Sequence, residues 1–189
     1  MPHIHTEPGQ HDITVSAWIF RIVDNELKVL VHMHRRLGKL MQTGGHVELD
    51  ETPWQTLGHE LQEEAGYDLT ELEVLQPTEN IPQITGSAVH PVPVLSNTHM
   101  VDASHYHSDY CYAFFAKDTP QKLPAEGESN DLRWLTIDEL YAAANSGDAL
   151  LDVAEIYDHI AKNYVQTYSR INASSFVLTK PDSSLLSSE

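Results

Sequence analysis

Three glutamates of this chain stand at the spacing of one helix face. Glu60, Glu63 and Glu64 occupy positions i, i+3 and i+4, which are neighbours on the surface of an α-helix. Like charges this close repel one another, so the spacing predicts either a solvated acidic face or a bound cation. Carboxylate oxygens at this density suit the hard cations Mg²⁺ and Mn²⁺. Divalent-metal chemistry is therefore the first candidate.

The residues around the triplet predict a well-delimited helix from Thr52 to Ala65. Thr52 is a good N-cap residue, Pro53 suits the first helical position, and Gln55 completes a capping box. Gly66 fits the end of the helix. An apolar stripe at helical spacing should face the core, and its members are Trp54, Leu57, Leu61 and Ala65.

A longer pattern surrounds these residues. From Gly45 the chain reads Gly, five residues, Glu51, seven residues and then His-Glu-Leu-Gln-Glu-Glu-Ala-Gly-Tyr, ending at Tyr67. This closely resembles the signature of the Nudix hydrolases, Gly-x5-Glu-x7-Arg-Glu-U-x-Glu-Glu-x-Gly-U, where U is a bulky apolar residue. His59 stands where the family has arginine, and Tyr67 fills the last U position with a polar-edged side chain. The resemblance extends over about residues 12–145.

The resemblance implies a fold, a reaction and a cofactor. The fold is α/β of the α+β kind, a Nudix-like α/β/α sandwich around a mixed β-sheet. The reaction is metal-dependent cleavage of a phosphoanhydride bond in a nucleoside diphosphate linked to another moiety, with Mg²⁺ or Mn²⁺ as cofactor. The implied metal ligands are Glu60, Glu63, Glu64 and the carbonyl of Gly44. Glu51 matches a position that braces the loop.

Two other interpretations stay open. A non-catalytic Nudix-fold module would bind a nucleotide or sugar nucleotide as a sensor, and His59 favours it because histidine cannot form the bidentate ion pair of arginine. The complete set of helix glutamates favours the enzyme. An acidic metal buffer would require the motif match to be accidental.

Glu128 is a further candidate for the catalytic site. It lies six residues before Trp134, where some relatives of the family place a glutamate as metal ligand or general base. An ordinary acidic loop residue is the alternative, and Glu126 is the neighbouring competitor.

Histidines form a second group of candidates. His105, His107 and Asp109 alternate before a strand, so they share one face and suit a transition-metal site, a substrate wall or solvent. A cupin-type metal enzyme would need a glutamate three or four residues after the second histidine, and none stands there. We expect substrate contacts from some of His46, His105 and His107.

Strands are expected before and after the acidic helix, and further helices are expected later in the chain. The expected strands span 12–23, 27–33, 40–42, 71–76, 92–100, 108–117 and 131–135, and the later helices span 137–144 and 149–168. We divide the chain into an N-terminal arm (1–11), a Nudix hydrolase domain with a C-terminal helix (12–170) and a flexible tail (171–189).

Composition excludes several classes of partner. The 189 residues carry a formal charge of −17, which disfavours a nucleic acid duplex or an anionic membrane surface. The chain contains no apolar run of transmembrane length, we expect no signal peptide, and the one cysteine, Cys111, cannot form an intrachain disulfide. We therefore expect a cytoplasmic protein with a small nucleotide-type diphosphate as substrate. A homodimer stays open.

Overall fold

The computed structural model describes residues 7, 9–101, 105–176 and 178. Most of the expected arm, namely residues 1–6 and 8, lies outside the described residues. The same holds for residues 102–104, for residue 177 and for residues 179–189 of the expected tail.

The described residues form one mixed sheet of nine strands. These are β1 His11–Val23, β2 Glu26–His34, β3 Lys39–Met41, β4 Thr43–His46, β5 Leu72–Gln76, β6 Leu95–Met100, β7 Tyr106–Ala116, β8 Leu132–Leu135 and β9 Ser169–Asn172. β1 lies at the centre, where it runs parallel to β7 from His11 to Phe20 and pairs antiparallel with β4 and β2. β7 also pairs with β5 and β6, β9 pairs with β5, and β3 and β8 pair with β2.

Helices cover both faces of this sheet. The helices are α1 Pro53–Ala65, α2 Ile137–Ser146 and α3 Leu151–Asn163. α1 packs Trp54, Leu57 and Leu61 on one face, and the other face packs against α2 and α3. The predicted α/β/α sandwich around a mixed sheet is therefore confirmed. In the described part of the chain, no helix has the length and apolar character needed to cross a membrane.

The expected boundary of the flexible tail, at residue 171, lies too early in the chain. β9 pairs with β5, placing Ile171 opposite Val74, and a 3-10 turn follows over Ala173–Ser175. Phe176 is buried, and its ring lies 5.9 Å from that of Trp54 in α1. Residues 171–176 therefore belong to the folded domain, because the sheet edge and the face of α1 bury the apolar side chains of this serine-rich segment. The C-terminal helix is also shorter than the expected 149–168, since α3 ends at Asn163.

Candidate active site

Local sequence fixes both ends of α1. The Thr52 hydroxyl accepts a hydrogen bond from the Gln55 N–H at 3.2 Å, and the Thr52 N–H donates to the Gln55 side chain at 2.9 Å. Gly66 ends the helix with a φ of 71°, and a side chain there would collide with the carbonyl of Lys122. The helix that carries the glutamates is thus held by the capping box and glycine that the sequence predicts.

Two of the helix glutamates lie buried beneath β4. Glu60 and Glu64 are only 6% and 8% exposed. The N–H of Gly44 donates a 3.0 Å hydrogen bond to Oε2 of Glu64. At Gly45 a Cβ atom would overlap the carboxylate of Glu60, so a side chain there would displace that carboxylate from its present position. The Gly44-Gly45 pair therefore positions both carboxylates.

Burial of these carboxylates disfavours their charged forms. Burial, and then the neighbouring charge of Glu63, raises the pKa of Glu60 to about 7. Burial, followed by the charge of Glu60, raises the pKa of Glu64 to about 9, although the hydrogen bond from Gly44 opposes this shift. A cation between the carboxylates would favour their ionised forms.

His32 of β2 lies against the same carboxylate. Its Nε2 is 3.6 Å from Oε2 of Glu64, and its side chain is buried. Burial, and then the neighbouring charge of His34, lowers the pKa of His32 to about 4. Because the two pKa values move in opposite directions, this contact joins a neutral imidazole and a protonated carboxyl near neutral pH in the absence of a cation.

Glu128 joins the helix glutamates around one cavity of about 610 Å³. Its loop is held against α1, because the N–H of Ala125 donates to the carbonyl of Glu63 at 2.7 Å and the N–H of Glu128 donates to Ala125 at 3.0 Å. The charge of Glu128 also raises the pKa values of Glu60 and Glu64. The competitor Glu126 is exposed and does not line the cavity. The carboxylate cluster is defined as Glu60, Glu63, Glu64 and Glu128.

His59 points away from this cluster. It is 62% exposed, and its Nδ1 lies 2.7 Å from Oε1 of Glu51. The other oxygen of Glu51 accepts a 2.7 Å hydrogen bond from the hydroxyl of Thr56. Glu51 thus ties the loop before α1 to two positions on the helix. His59 pairs with this loop glutamate rather than with a helix glutamate.

Three histidines meet on the other side of the cavity. His46, His105 and His107 each offer one ring nitrogen, and these nitrogens lie within 4.8 Å of one another. His46 and His107 line the cavity, whereas His105 is buried and does not line it. The histidine cluster is defined by these three residues.

Asp109, which the sequence grouped with two of these histidines, has other contacts. It accepts a 2.9 Å hydrogen bond from the hydroxyl of Thr14 and a 3.1 Å contact from the thiol of Cys111. The carboxylate nearest the histidine cluster is Asp12 of β1, which sequence analysis missed. Asp12 is separated from these histidines by tens of residues along the chain, so only the pairing of β1 with β7 reveals it.

Cationic side chains stand at the mouth of the cavity. Arg35 and Arg36, in the turn after β2, line it, and Arg35 donates to the carbonyl of Gly127. Arg133 does not line the cavity. Its guanidinium donates two hydrogen bonds to the carboxylate of Asp131, at 2.8 and 2.6 Å.

The family model of the NUDIX domain matches residues 12–154. The chain belongs to the Nudix family. The prediction of Nudix membership, made from the motif between Gly45 and Tyr67, is thereby confirmed. The matched range contains the carboxylate cluster, the histidine cluster and Asp12.

Solved Nudix structures share the fold. A hydrolase of the NUDIX family from Clostridium perfringens is 24% identical, with a TM-score of 0.64 over 80% of this chain and 96% of that chain. The NUDIX domain of Shewanella oneidensis NrtR, complexed with ADP ribose, is 19% identical, with a TM-score of 0.57 over 81% and 88%. An Ap4A hydrolase from C. elegans is 14% identical, with a TM-score of 0.56 over 81% and 96%. No curated protein matches the chain.

Proposed function

We propose that this Nudix protein is a divalent-metal-dependent hydrolase of a phosphoanhydride bond in a nucleoside diphosphate linked to another moiety. The carboxylate cluster carries the proposal, because four glutamates from one helix and one anchored loop line a single cavity. A solvated acidic face would not bury Glu60 and Glu64. Metal dependence and substrate class are parts of this proposal.

The carboxylate cluster fits Mg²⁺ or Mn²⁺. Its donors are hard oxygens, which these ions prefer. The raised pKa values of Glu60 and Glu64 reflect burial and mutual repulsion that a divalent cation would relieve. Glu60, Glu63, Glu64 and the Gly44 carbonyl would hold the ion. When bound, a divalent cation neutralises the diphosphate and activates the attacking water.

Other residues of the cavity would position the substrate and move a proton. Glu128 lies on the loop opposite α1 and would accept the proton of the attacking water. Arg35 and Arg36 supply positive charge for the phosphates at the mouth of the cavity. His46 and His107 form the wall that faces the substrate. His105 lies behind this wall and would act through His107.

A small nucleotide derivative is the substrate class that we propose. Two structural neighbours are described as complexed with ADP ribose and as an Ap4A hydrolase, and both compounds contain phosphoanhydride bonds. The charge of −17 argues against a nucleic acid duplex or a membrane as partner. We retain the cytoplasm as the expected location because the one cysteine, Cys111, is buried as a free thiol.

The test is a substrate panel with Mg²⁺ or Mn²⁺. ADP-ribose, Ap4A, nucleotide sugars and nucleoside triphosphates are incubated with the protein, and release of mononucleotide or phosphate is measured. Glu64→Gln should lower the rate by at least about 100-fold, because stabilisation by metal is worth several kcal/mol. Glu128→Gln should also lower it, whereas the matched control Glu126→Gln should retain it. A Glu64→Gln variant at half the normal rate would contradict the metal site.

The sensor hypothesis predicts a different result. A non-catalytic module would bind one compound of the panel with a measurable heat but release no product at any metal concentration. The replacement of arginine by His59 favours this second candidate. Its contact with Glu51 argues for the enzyme, since the loop before α1 keeps an ion-pair partner on the helix.

A further inference from the structure

Three adjacent strands bring the histidine cluster together. β4 and β7 flank β1, with Thr14 opposite both His46 and Asp109. Asp12 lies opposite His107 in the same ladder. Side chains two residues apart on a strand share a face, so His46, His107 and Asp12 project from the same side of the sheet. His105 enters from the residue just before β7.

Three distances between donor atoms lie close to those of a four-coordinate metal site, and the three histidine nitrogens all lie within 4.8 Å of one another. Nε2 of His46 lies 3.0 Å from Nε2 of His107. Oδ2 of Asp12 lies 3.2 Å from Nε2 of His105 and 3.7 Å from Nε2 of His46. Metal–nitrogen bonds of about 2.0–2.1 Å in a tetrahedron place neighbouring donors about 3.3 Å apart. The three distances of 3.0, 3.2 and 3.7 Å lie on either side of that spacing.

The donor set also selects the kind of metal. Imidazole nitrogens suit borderline transition-metal ions, whereas Mg²⁺ prefers oxygen ligands. Three histidines form a common ligand set for Zn²⁺ that leaves room for a further ligand. His46, His105 and Asp12 are buried, so the donor atoms are held in place by the surrounding strands.

We propose that His46, His105 and His107 bind a transition-metal ion of the Zn²⁺ type, with Asp12 as the anionic group of the site. This is a second metal site, chemically distinct from the carboxylate cluster. It does not rest on hydrolysis, because the assignment follows from the donor atoms alone.

The site opens towards the cavity on one side. His46 and His107 line the cavity together with the carboxylate cluster, whereas Asp12 and His105 do not. An ion held by these four residues would therefore lie in the wall of the cavity, with His46 and His107 between it and the substrate. Substrate would then lie between an oxygen-ligated ion and a nitrogen-ligated ion.

Co²⁺ is the probe, because four-coordinate Co²⁺ absorbs strongly in the visible range whereas six-coordinate Co²⁺ in oxygen ligands absorbs weakly. Tag-free protein is stripped with EDTA, saturated with Mg²⁺ and titrated with Co²⁺. We expect an intense visible band that saturates at one Co²⁺ per chain, that Zn²⁺ abolishes and that further Mg²⁺ leaves unchanged. A weak six-coordinate spectrum alone would overturn the proposal.

Variants locate the band. His46→Gln and His107→Gln should each weaken Co²⁺ binding by at least about tenfold, while Glu64→Gln and the matched control His159→Gln on α3 should retain it. Circular dichroism of each variant in EDTA checks that it is folded. If His46→Gln or His105→Gln fails to fold, His107→Gln still tests the site, because His107 is less buried. An unchanged band in folded His107→Gln, or its loss in Glu64→Gln, would show that the histidines form only hydrogen bonds or bind substrate directly.

Discussion

The carboxylate cluster and the histidine cluster line one cavity but are built in opposite ways. Three of the four carboxylates come from consecutive turns of α1, so a span of five residues contains them. The histidine cluster and Asp12 come from β1, β4 and the beginning of β7, and residues 12 and 107 meet only through strand pairing. The first cluster depends on one helix being held in place, and the second depends on sheet register.

This difference predicts which changes damage which cluster. A loosened α1 should weaken the proposed metal binding at the carboxylate cluster and leave the proposed metal binding at the histidine cluster intact. A disturbed β1–β7 register should do the reverse, because a slip of one residue would turn Asp12 to the other face.

Phe176→Ala should have the largest effect on stability. The ring is 5% exposed and packs edge-on against Trp54 of α1. Truncating a buried phenylalanine costs about 3 kcal/mol, which corresponds to a decrease in Tm of roughly 6–12 °C. Differential scanning fluorimetry measures this decrease. Mg²⁺ binding should weaken as α1 loosens, whereas the Co²⁺ band should persist at room temperature.

Leu178→Ala is the matched control for Phe176→Ala. Leu178 is also apolar but is 42% exposed, so its truncation should lower Tm far less. Equal decreases for the two variants would show that the whole terminal segment, and not the Phe176–Trp54 contact, stabilises α1. Equal weakening of both metal sites in Phe176→Ala would contradict the independence of the two clusters.

Sequence alone revealed what local chemistry determines. The capping box at Thr52 and the stop at Gly66 fixed α1, and Thr136 likewise caps α2 with Glu139. The glutamate triplet Glu60, Glu63 and Glu64 could be recognised because its spacing lies within one helix.

Sequence alone missed what long-range pairing determines. β9 has four residues in a serine-rich segment, and only its partner β5 makes it a strand. Phe176 is a single apolar residue whose burial depends on the face of α1. Alternation correctly placed His107 and Asp109 on one face of β7, but only the pairing of β1 with β7 reveals that Asp12 lies beside the histidines.

The pH dependence of stability should sharpen the contrast at the carboxylate cluster. The pKa values of Glu60 and Glu64 are raised to about 7 and about 9 in the folded protein. The folded state therefore binds more protons than the unfolded state above about pH 4.5, so stability in EDTA should fall as pH rises through these values. Stabilisation by Mg²⁺ should grow over the same range, because the cation replaces the protons.

Melting temperatures of the wild type and Glu64→Gln, with EDTA and with Mg²⁺, test this prediction. Glu64→Gln should flatten the decrease in EDTA and remove most of the gain from Mg²⁺. The neighbours that also act on these carboxylates are Glu63, Glu128, His32 and the N–H of Gly44, so a residual slope is expected from Glu60. A wild-type protein in EDTA that becomes more stable between about pH 6 and about pH 9 would contradict the raised pKa values.

The smallest effect should come from His59, whose exposed side chain on α1 contacts Glu51 in the loop before the helix. Its 2.7 Å contact with Glu51 lies at a side chain that is 62% exposed, and exposed ion pairs are worth at most about 1 kcal/mol. His59→Ala should therefore lower the rate by less than about tenfold, by displacing α1 slightly and without changing the Mg²⁺ concentration that gives half the maximal rate.

His59→Arg should keep or raise the rate, above neutrality in particular, because arginine stays charged there and can pair with Glu51 through two hydrogen bonds. Glu51→Gln should lower the rate more than His59→Ala does, since Glu51 also accepts a 2.7 Å hydrogen bond from the hydroxyl of Thr56. Pairing of His59→Ala with Glu51→Gln in a double-mutant cycle measures the contact itself. If His59→Ala instead raises the Mg²⁺ requirement as much as Glu63→Gln does, His59 acts on the metal ligands and not on the loop.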